Sequence, residues 1–133
     1  MIVEELSLPG LFLVQPEPHA DERGFFARTH CEEEFAGHGL IGRFAQSSVS
    51  FNHRRGTVRG MHFSREPHAE TKLVRCTSGA IHDAVVDLRP GSPTYLRTEQ
   101  VTLSARNHHA LSWPEPVTVI AARDLAFPDW AGR

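Results

Sequence analysis

The chain has 133 residues, enough for one domain that buries about two thirds of the surface its unfolded form exposes. Its 40% apolar and 23% charged composition argues against disorder, and its net charge of -2 gives no electrostatic reason to expect nucleic acid or an anionic membrane as partner. Cys31 and Cys76 form neither a CxxC pair nor a disulfide framework, no run approaches the ~20 apolar residues of a membrane span, and the opening Met1–Gly10 stretch lacks the apolar core of a secretory signal, so the cytoplasm is the expected location.

Short runs rich in Val, Ile, Thr and Phe, separated by Gly, Pro, Asn and Asp, predict an all-β domain. Strands are expected at Leu11–Gln15, Gly24–Arg28, Phe44–Phe51, Val58–Phe63, Leu73–Thr77, Ala80–Leu88 and Thr94–Leu103, with another beginning at His108–Leu111. Ser78-Gly79 makes a hairpin-like turn between two of them. One helix is expected over about Cys31–Gly37, with Thr29 as cap and Glu32 closing a capping box. Gly37 or Gly39 would end it. Many short strands and one minor helix point to an antiparallel sandwich or partial barrel. The single domain spans 1–133, with 112–133 as an extended tail in which Val117–Ala121 is the only strand-like run. Trp113 and Trp130 are expected to pack on the domain or on a partner chain.

Nine histidines invite a metal reading, but no HxH or HxxxH pair falls on one predicted strand, and most are expected to be surface or hydrogen-bonded residues. Arg59-Gly60-Met61-His62 is more informative. Strict alternation would place Arg59 and His62 on opposite faces, whereas a bulge at Gly60 would turn both into one cavity. A glycine that merely relieves crowding, beside a satisfied core histidine, is an equally weighted reading. Lys72 and Arg75 would suit an anionic ligand at a barrel mouth; two solvated charges on an edge strand are the commoner arrangement.

Five motifs, in order and spacing, resemble the dTDP-4-dehydrorhamnose 3,5-epimerase family. They are Asp21-Glu22-Arg23-Gly24-Phe25-Phe26, Gly56 to Phe63, Lys72 to Cys76, Val86-Asp87-Leu88-Arg89 and Ser92-Pro93-Thr94-Tyr95. The resemblance covers about residues 1–111. It implies a cupin-like jelly roll, a homodimer, a dTDP-4-keto-6-deoxyhexose substrate, and an isomerase that needs no metal and no organic cofactor. It also implies roles. His62 matches the base that removes protons at C3 and C5, and Lys72 the cation that holds the enolate. Arg23 and Arg59 match substrate-binding residues, and Gln46 is a weaker match on the same wall. The chemistry agrees, since histidine titrates near neutral pH and arginine forks suit phosphate.

The resemblance breaks after Leu111. The family continues there into strands that carry a tyrosine acid and an aspartate behind the base. Here Leu111 runs straight into Ser112-Trp113-Pro114, as though the chain were internally shortened, and the only tyrosine, Tyr95, matches a non-catalytic position. Impaired turnover is the expectation. The alternatives are a non-catalytic sugar-nucleotide-binding remnant or partner subunit of an intact relative, and a small metal-binding cupin.

Overall fold

The computed structural model describes residues 1–65, 67–107, 109–113 and 120–124. Its elements in chain order are β1 (Ile2–Glu5), β2 (Phe12–Gln15), β3 (His19–Asp21), β4 (Gly24–Phe26), α1 (Glu32–Gly37), β5 (Val58–His62), β6 (Lys72–Arg75), β7 (Ala80–Val86), β8 (Thr98–Ser104), β9 (Ala110–Trp113) and β10 (Ile120–Asp124). They form one sheet in the order β1-β2-β9-β6, a second in the order β5-β10-β7-β8, and a separate β3-β4 hairpin. Strand pairing in all three is antiparallel. The fold is the expected all-β, cupin-like jelly roll with one short helix.

Two apolar clusters show which face of each sheet is which. Leu8, Leu11 and Cys76 are buried with Val85 and Leu103, and Leu13, Val74, Ile81 and Val101 pack against them. Residues from both sheets therefore meet there, and their strand positions are the inward-facing ones. Val14, Phe35 and Leu40 form the other cluster with Val3, Phe12, Phe44 and Leu73, so α1 covers the outer face of the first sheet.

The helix occupies the expected place with a different start. Its N-cap is Cys31, with no side-chain cap hydrogen bond, and Thr29 does not cap it. Fully buried Phe35, pressed on the first sheet, supplies what the cap does not. Glu32, Glu33 and Glu34 fill the first turn, where the helix dipole favours acids. The strand expected at Phe44–Phe51 is absent; this stretch runs without regular structure. Alternation makes a strand only when another strand offers its backbone groups, and none pairs with it. Of the stretch 112–133, only 112–113 and 120–124 lie within the described residues. Ser112 and Trp113 belong to β9, and β10 lies inside the second sheet between β5 and β7. Trp130 lies outside the described residues.

The β7–β8 connection is tied down by a buried carboxylate. Asp87 is fully buried and accepts from Arg89 Nε at 2.9 Å and Nη2 at 2.8 Å, and from the Ser92 and Thr94 hydroxyls at 2.5 and 2.6 Å. The Arg89 guanidinium above all holds this carboxyl well below the usual range, with the two hydroxyls adding to it. A depressed carboxyl stabilises the fold above its unfolded-state pKa, and that contribution fades as pH falls below ~4. Asp87→Ala leaves a half-buried guanidinium unpaired and is expected to cost about 3 kcal/mol in urea denaturation near neutral pH. The penalty should shrink in acid.

Candidate active-site cleft

Strand β5 is the edge of the second sheet, and its register against β10 slips once. His62 pairs with Ile120, and Arg59 pairs with Ala122. Three steps along β5 thus match two along β10, so one extra residue sits between Arg59 and His62, as expected for a bulge at Gly60. Gly60 adopts φ +100°, a backbone conformation that favours glycine. Residues 120 and 122 share one face of β10, so their partners Arg59 and His62 share one face of β5. The next strand fixes which face it is. Ile120 pairs with Val85 and Ala122 with Asp83, and Val85 is in the core between the sheets. Arg59 and His62 therefore face inward, yet every residue of β5 is exposed. The inward face of this edge strand is therefore open to solvent.

Lys72 enters from the opposite wall. It begins β6, the edge strand of the first sheet, two residues before Val74, which packs into the core between the sheets. Lys72 hence belongs to the inward face and Leu73 to the helix-covered face. The Lys72 ammonium lies 2.8 Å from the Glu70 carboxylate, with the lysine side chain 33% exposed. Arg59 Nε donates to Asn52 Oδ1 at 2.7 Å, and Nη2 donates to the Phe51 carbonyl at 3.2 Å. These contacts hold the guanidinium against the segment before β5.

The structure brings Arg59, His62 and Lys72 to the two inner walls. It places the other two candidates elsewhere. Arg23 sits in the β3–β4 turn, its side chain 84% exposed and 2.6 Å from Asp21. The Arg23 guanidinium, then its backbone N–H, hold the Asp21 carboxyl below its ordinary range. Gln46 is exposed on the irregular stretch before β5. Other histidines have structural partners. His30 Nε2 lies 2.8 Å from the Gly42 carbonyl with its ring edge-on to Phe35 and Phe44. His82, on the outer face of β7, lies 2.7 Å from Gln100 Oε1. Among the described residues no three of His, Cys, Asp and Glu gather as a metal-ligand set.

Sequence reasoning missed Asp83. It sits at the same inward register as Arg59, with Ala122 between them. Its side chain is fully buried, and neither carboxylate oxygen has a hydrogen-bond partner among the described residues. Burial pushes this carboxyl up to about 7; the Ala84 N–H and His82 offset only part of the effect. A buried acid without a partner is costly and marks sites of function. The signal was present in Ile81-x-Asp83-x-Val85, where an acid takes an inward slot of an otherwise apolar strand face.

The sequence matches the dTDP-4-dehydrorhamnose 3,5-epimerase family over residues 5–119. An enzyme of that name from Sinorhizobium fredii is 40% identical over 107 residues, which cover 80% of this chain and 55% of the relative. The crystal structure of the Elizabethkingia anophelis enzyme superposes with a TM-score of 0.88 at 31% identity, covering 95% of this chain and 68% of that one. A 3'-monoepimerase from Streptomyces bikiniensis, solved in complex with dTDP-quinovose, superposes with a TM-score of 0.81 at 34% identity over 91% of this chain and 61% of its own. The chain thus spans little more than half the length of the Sinorhizobium relative. With five motifs in register, a jelly roll that superposes on these enzymes and a family match over most of its length, the chain belongs to the dTDP-4-dehydrorhamnose 3,5-epimerase family.

Proposed function

We propose that this chain binds a dTDP-linked 4-keto-6-deoxyhexose in the open cleft and removes protons next to the keto group, as a 3,5-epimerase-like isomerase. One observation carries the reading: the β5 bulge turns Arg59 and His62 to the same inward face, opposite the sheet that presents Lys72. The 4-keto group acidifies the C3 and C5 hydrogens. His62 is the base, and the negative charge that forms on the keto oxygen is met by the Lys72 ammonium. Arg59 holds the diphosphate through guanidinium N–H groups. Arg23 and Gln46 are assigned to the rim, where exposed side chains can close on the nucleotide. The substrate class is supported by the Streptomyces relative, whose complex contains a dTDP-sugar.

The assembly proposed is a homodimer. The β3–β4 hairpin joins neither sheet, and Phe26, Val49, Phe51, Met61 and Phe63 are each more than half exposed. A self-complementary contact would cover such surface. Sedimentation as a monomer at micromolar concentration would refute it. No helix among the described residues is long and apolar enough to cross a membrane.

The binding half of the reading is tested by calorimetry with dTDP. Arg59→Ala is expected to weaken binding by a few kcal/mol at most, the worth of one or two charge-assisted hydrogen bonds. Unchanged affinity would remove Arg59 from the site. The experiment is informative even without turnover, because a non-catalytic sugar-nucleotide-binding remnant makes the same prediction. That second reading is favoured by one feature, the single tyrosine of this chain. Tyr95 lies half exposed between β7 and β8, away from the strands that present His62 and Lys72.

A further inference from the structure

We infer that the exposed pair Arg54-Arg55 steers an anionic nucleotide toward β5: its charges speed the arrival of a nucleotide diphosphate without holding it once bound. The inference rests on the reading of the inward face of β5 as a nucleotide-sugar site. It begins from an uneven spread of charge. The chain as a whole is slightly negative, with a net charge of -2. Residues 35–65 nevertheless contain no aspartate or glutamate, while Arg43, Arg54, Arg55, Arg59 and Arg65 all fall among them. Arg23, Arg28, Arg43, Lys72 and Arg89 each lie within 2.8 Å of a carboxylate. Among the described residues Arg54, Arg55, Arg59 and Arg65 have no such partner. The turn before β5, β5 itself and the residues after it thus form a positive strip on a negative molecule.

Arg59 grips the base of the loop that carries the pair. Its Nε and Nη2 donate to Asn52 Oδ1 and to the Phe51 carbonyl, so residues 51–59 are closed into a loop with Arg54 and Arg55 between its ends. Inside the loop, Thr57 Oγ1 donates to the Arg54 carbonyl at 2.8 Å, and Gly56 turns the chain at φ +78°. The His53 ring stands edge-on to Phe51 with centroids 5.0 Å apart. These ties use backbone atoms and neighbouring side chains, and they leave Arg54 and Arg55 exposed. Four residues of chain keep Arg55 within about 14 Å of Arg59.

That placement decides what the pair can do. At such a distance a charge is largely screened in physiological salt, where the Debye length is about 8 Å, and fully felt in dilute salt, where it is about 30 Å. A field of that reach raises the rate of encounter with a diphosphate and adds little to its residence. Exposed charges at the rim of a site act in this way, on the association rate and its salt dependence. Arg59 differs, because its guanidinium is aimed by two hydrogen bonds and is assigned to the bound diphosphate. Its loss should show in koff.

The test is stopped-flow binding of a fluorescent dTDP analogue at about 0.01 M and about 0.15 M salt, which span the two screening regimes. Arg54→Gln/Arg55→Gln is expected to lower kon roughly tenfold in dilute salt, the lower end of what steering supplies. The difference should shrink in the higher salt, and koff should stay at the wild-type value. The matched control is Arg97→Gln/Arg106→Gln. It removes the same charge from exposed positions flanking β8, at the opposite edge of the second sheet, and should keep the wild-type kon. An unchanged kon in Arg54→Gln/Arg55→Gln would overturn the inference. So would equal slowing in the control, since net charge rather than its placement would then be at work. A change confined to koff would also overturn it, by making the pair a holder of the bound ligand. If the double variant fails to fold, Arg55→Gln alone decides, because it leaves the Thr57 contact to Arg54 in place. A wild type that does not bind the analogue at either salt would sink the proposed nucleotide site and this inference with it. Wild-type binding that is indifferent to Arg54 and Arg55 would sink this inference alone.

Discussion

In deuterated water the wild-type protein is expected to wash label into C3 and C5 of dTDP-4-keto-6-deoxyglucose while inverting those centres slowly or not at all. The two half-reactions ask for different residues. Removing a proton needs a base beside the sugar and a cation beside the keto oxygen. In the proposed reading His62 and Lys72, on the inward faces of β5 and β6, take these tasks. Inversion needs an acid on the face of the ring opposite the base. The tyrosine of this sequence, Tyr95, lies between β7 and β8 and has no such role in the proposed reading. Asp83 does not fill it, because it shares the wall of His62 and approaches from the same side. Losing a positioned acid slows a reaction by ~10²- to 10⁴-fold. His62→Ala should abolish exchange by a similar factor. NMR of the recovered sugar measures exchange, and coupling to a reductase reports stereochemistry. Full-rate inversion would mean that another group serves as the acid, and equal exchange in His62→Ala would leave the chain only a binding role.

Asp83→Asn is expected to stabilise the fold, and by an amount that depends on pH. The sign follows from the direction of the shift. The folded-state carboxyl is pushed up to about 7 by burial, while an unfolded aspartate titrates near ~3.9. Below ~4 both states are protonated and the residue costs nothing by this route. Between these values the unfolded chain ionises and the folded one does not, so stability drops as pH rises. Above 7 the penalty is complete. About three pH units at ~1.4 kcal/mol each give roughly 4 kcal/mol as the ceiling of the gain in Asp83→Asn. Urea midpoints of the two proteins should therefore coincide in acid and diverge toward pH 8, with the variant the more stable. A variant that is less stable throughout would show that Asp83 is already paired in the resting protein. Greater stability together with slower exchange would mark an acid kept for function at the expense of the fold.

The parts of this architecture legible in the sequence are those written in local chemistry. The β5 bulge could be read from a glycine set between an arginine and a histidine, because only an extra residue brings the two to one face. The helix could be read from its acidic first turn, while its start could not. Thr29 satisfies the pattern of a cap, but burial of Phe35 against the first sheet settles where the helix begins. Alternation over Phe44–Phe51 misled for a related reason, since a strand depends on a neighbour that its own residues do not encode. Asp83 escaped notice because its importance is non-local. Only the pairing of β7 with β10, and of β10 with β5, puts it in the row of Arg59.

The placement of β10 also governs when the wall formed by β5 can exist. Among the described residues strand β5 pairs with its sheet through β10, which is synthesised much later and slots between β5 and β7. Until that strand arrives, the wall that presents Arg59 and His62 has nothing to pair with, and its backbone groups remain on offer to other chains. Closing so long a loop is slow compared with forming the β7–β8 hairpin. The β5 wall thus depends on β10 for its place in the sandwich and detaches when β10 is pulled away. During synthesis, the interval before β10 docks is when this protein is most open to misassembly.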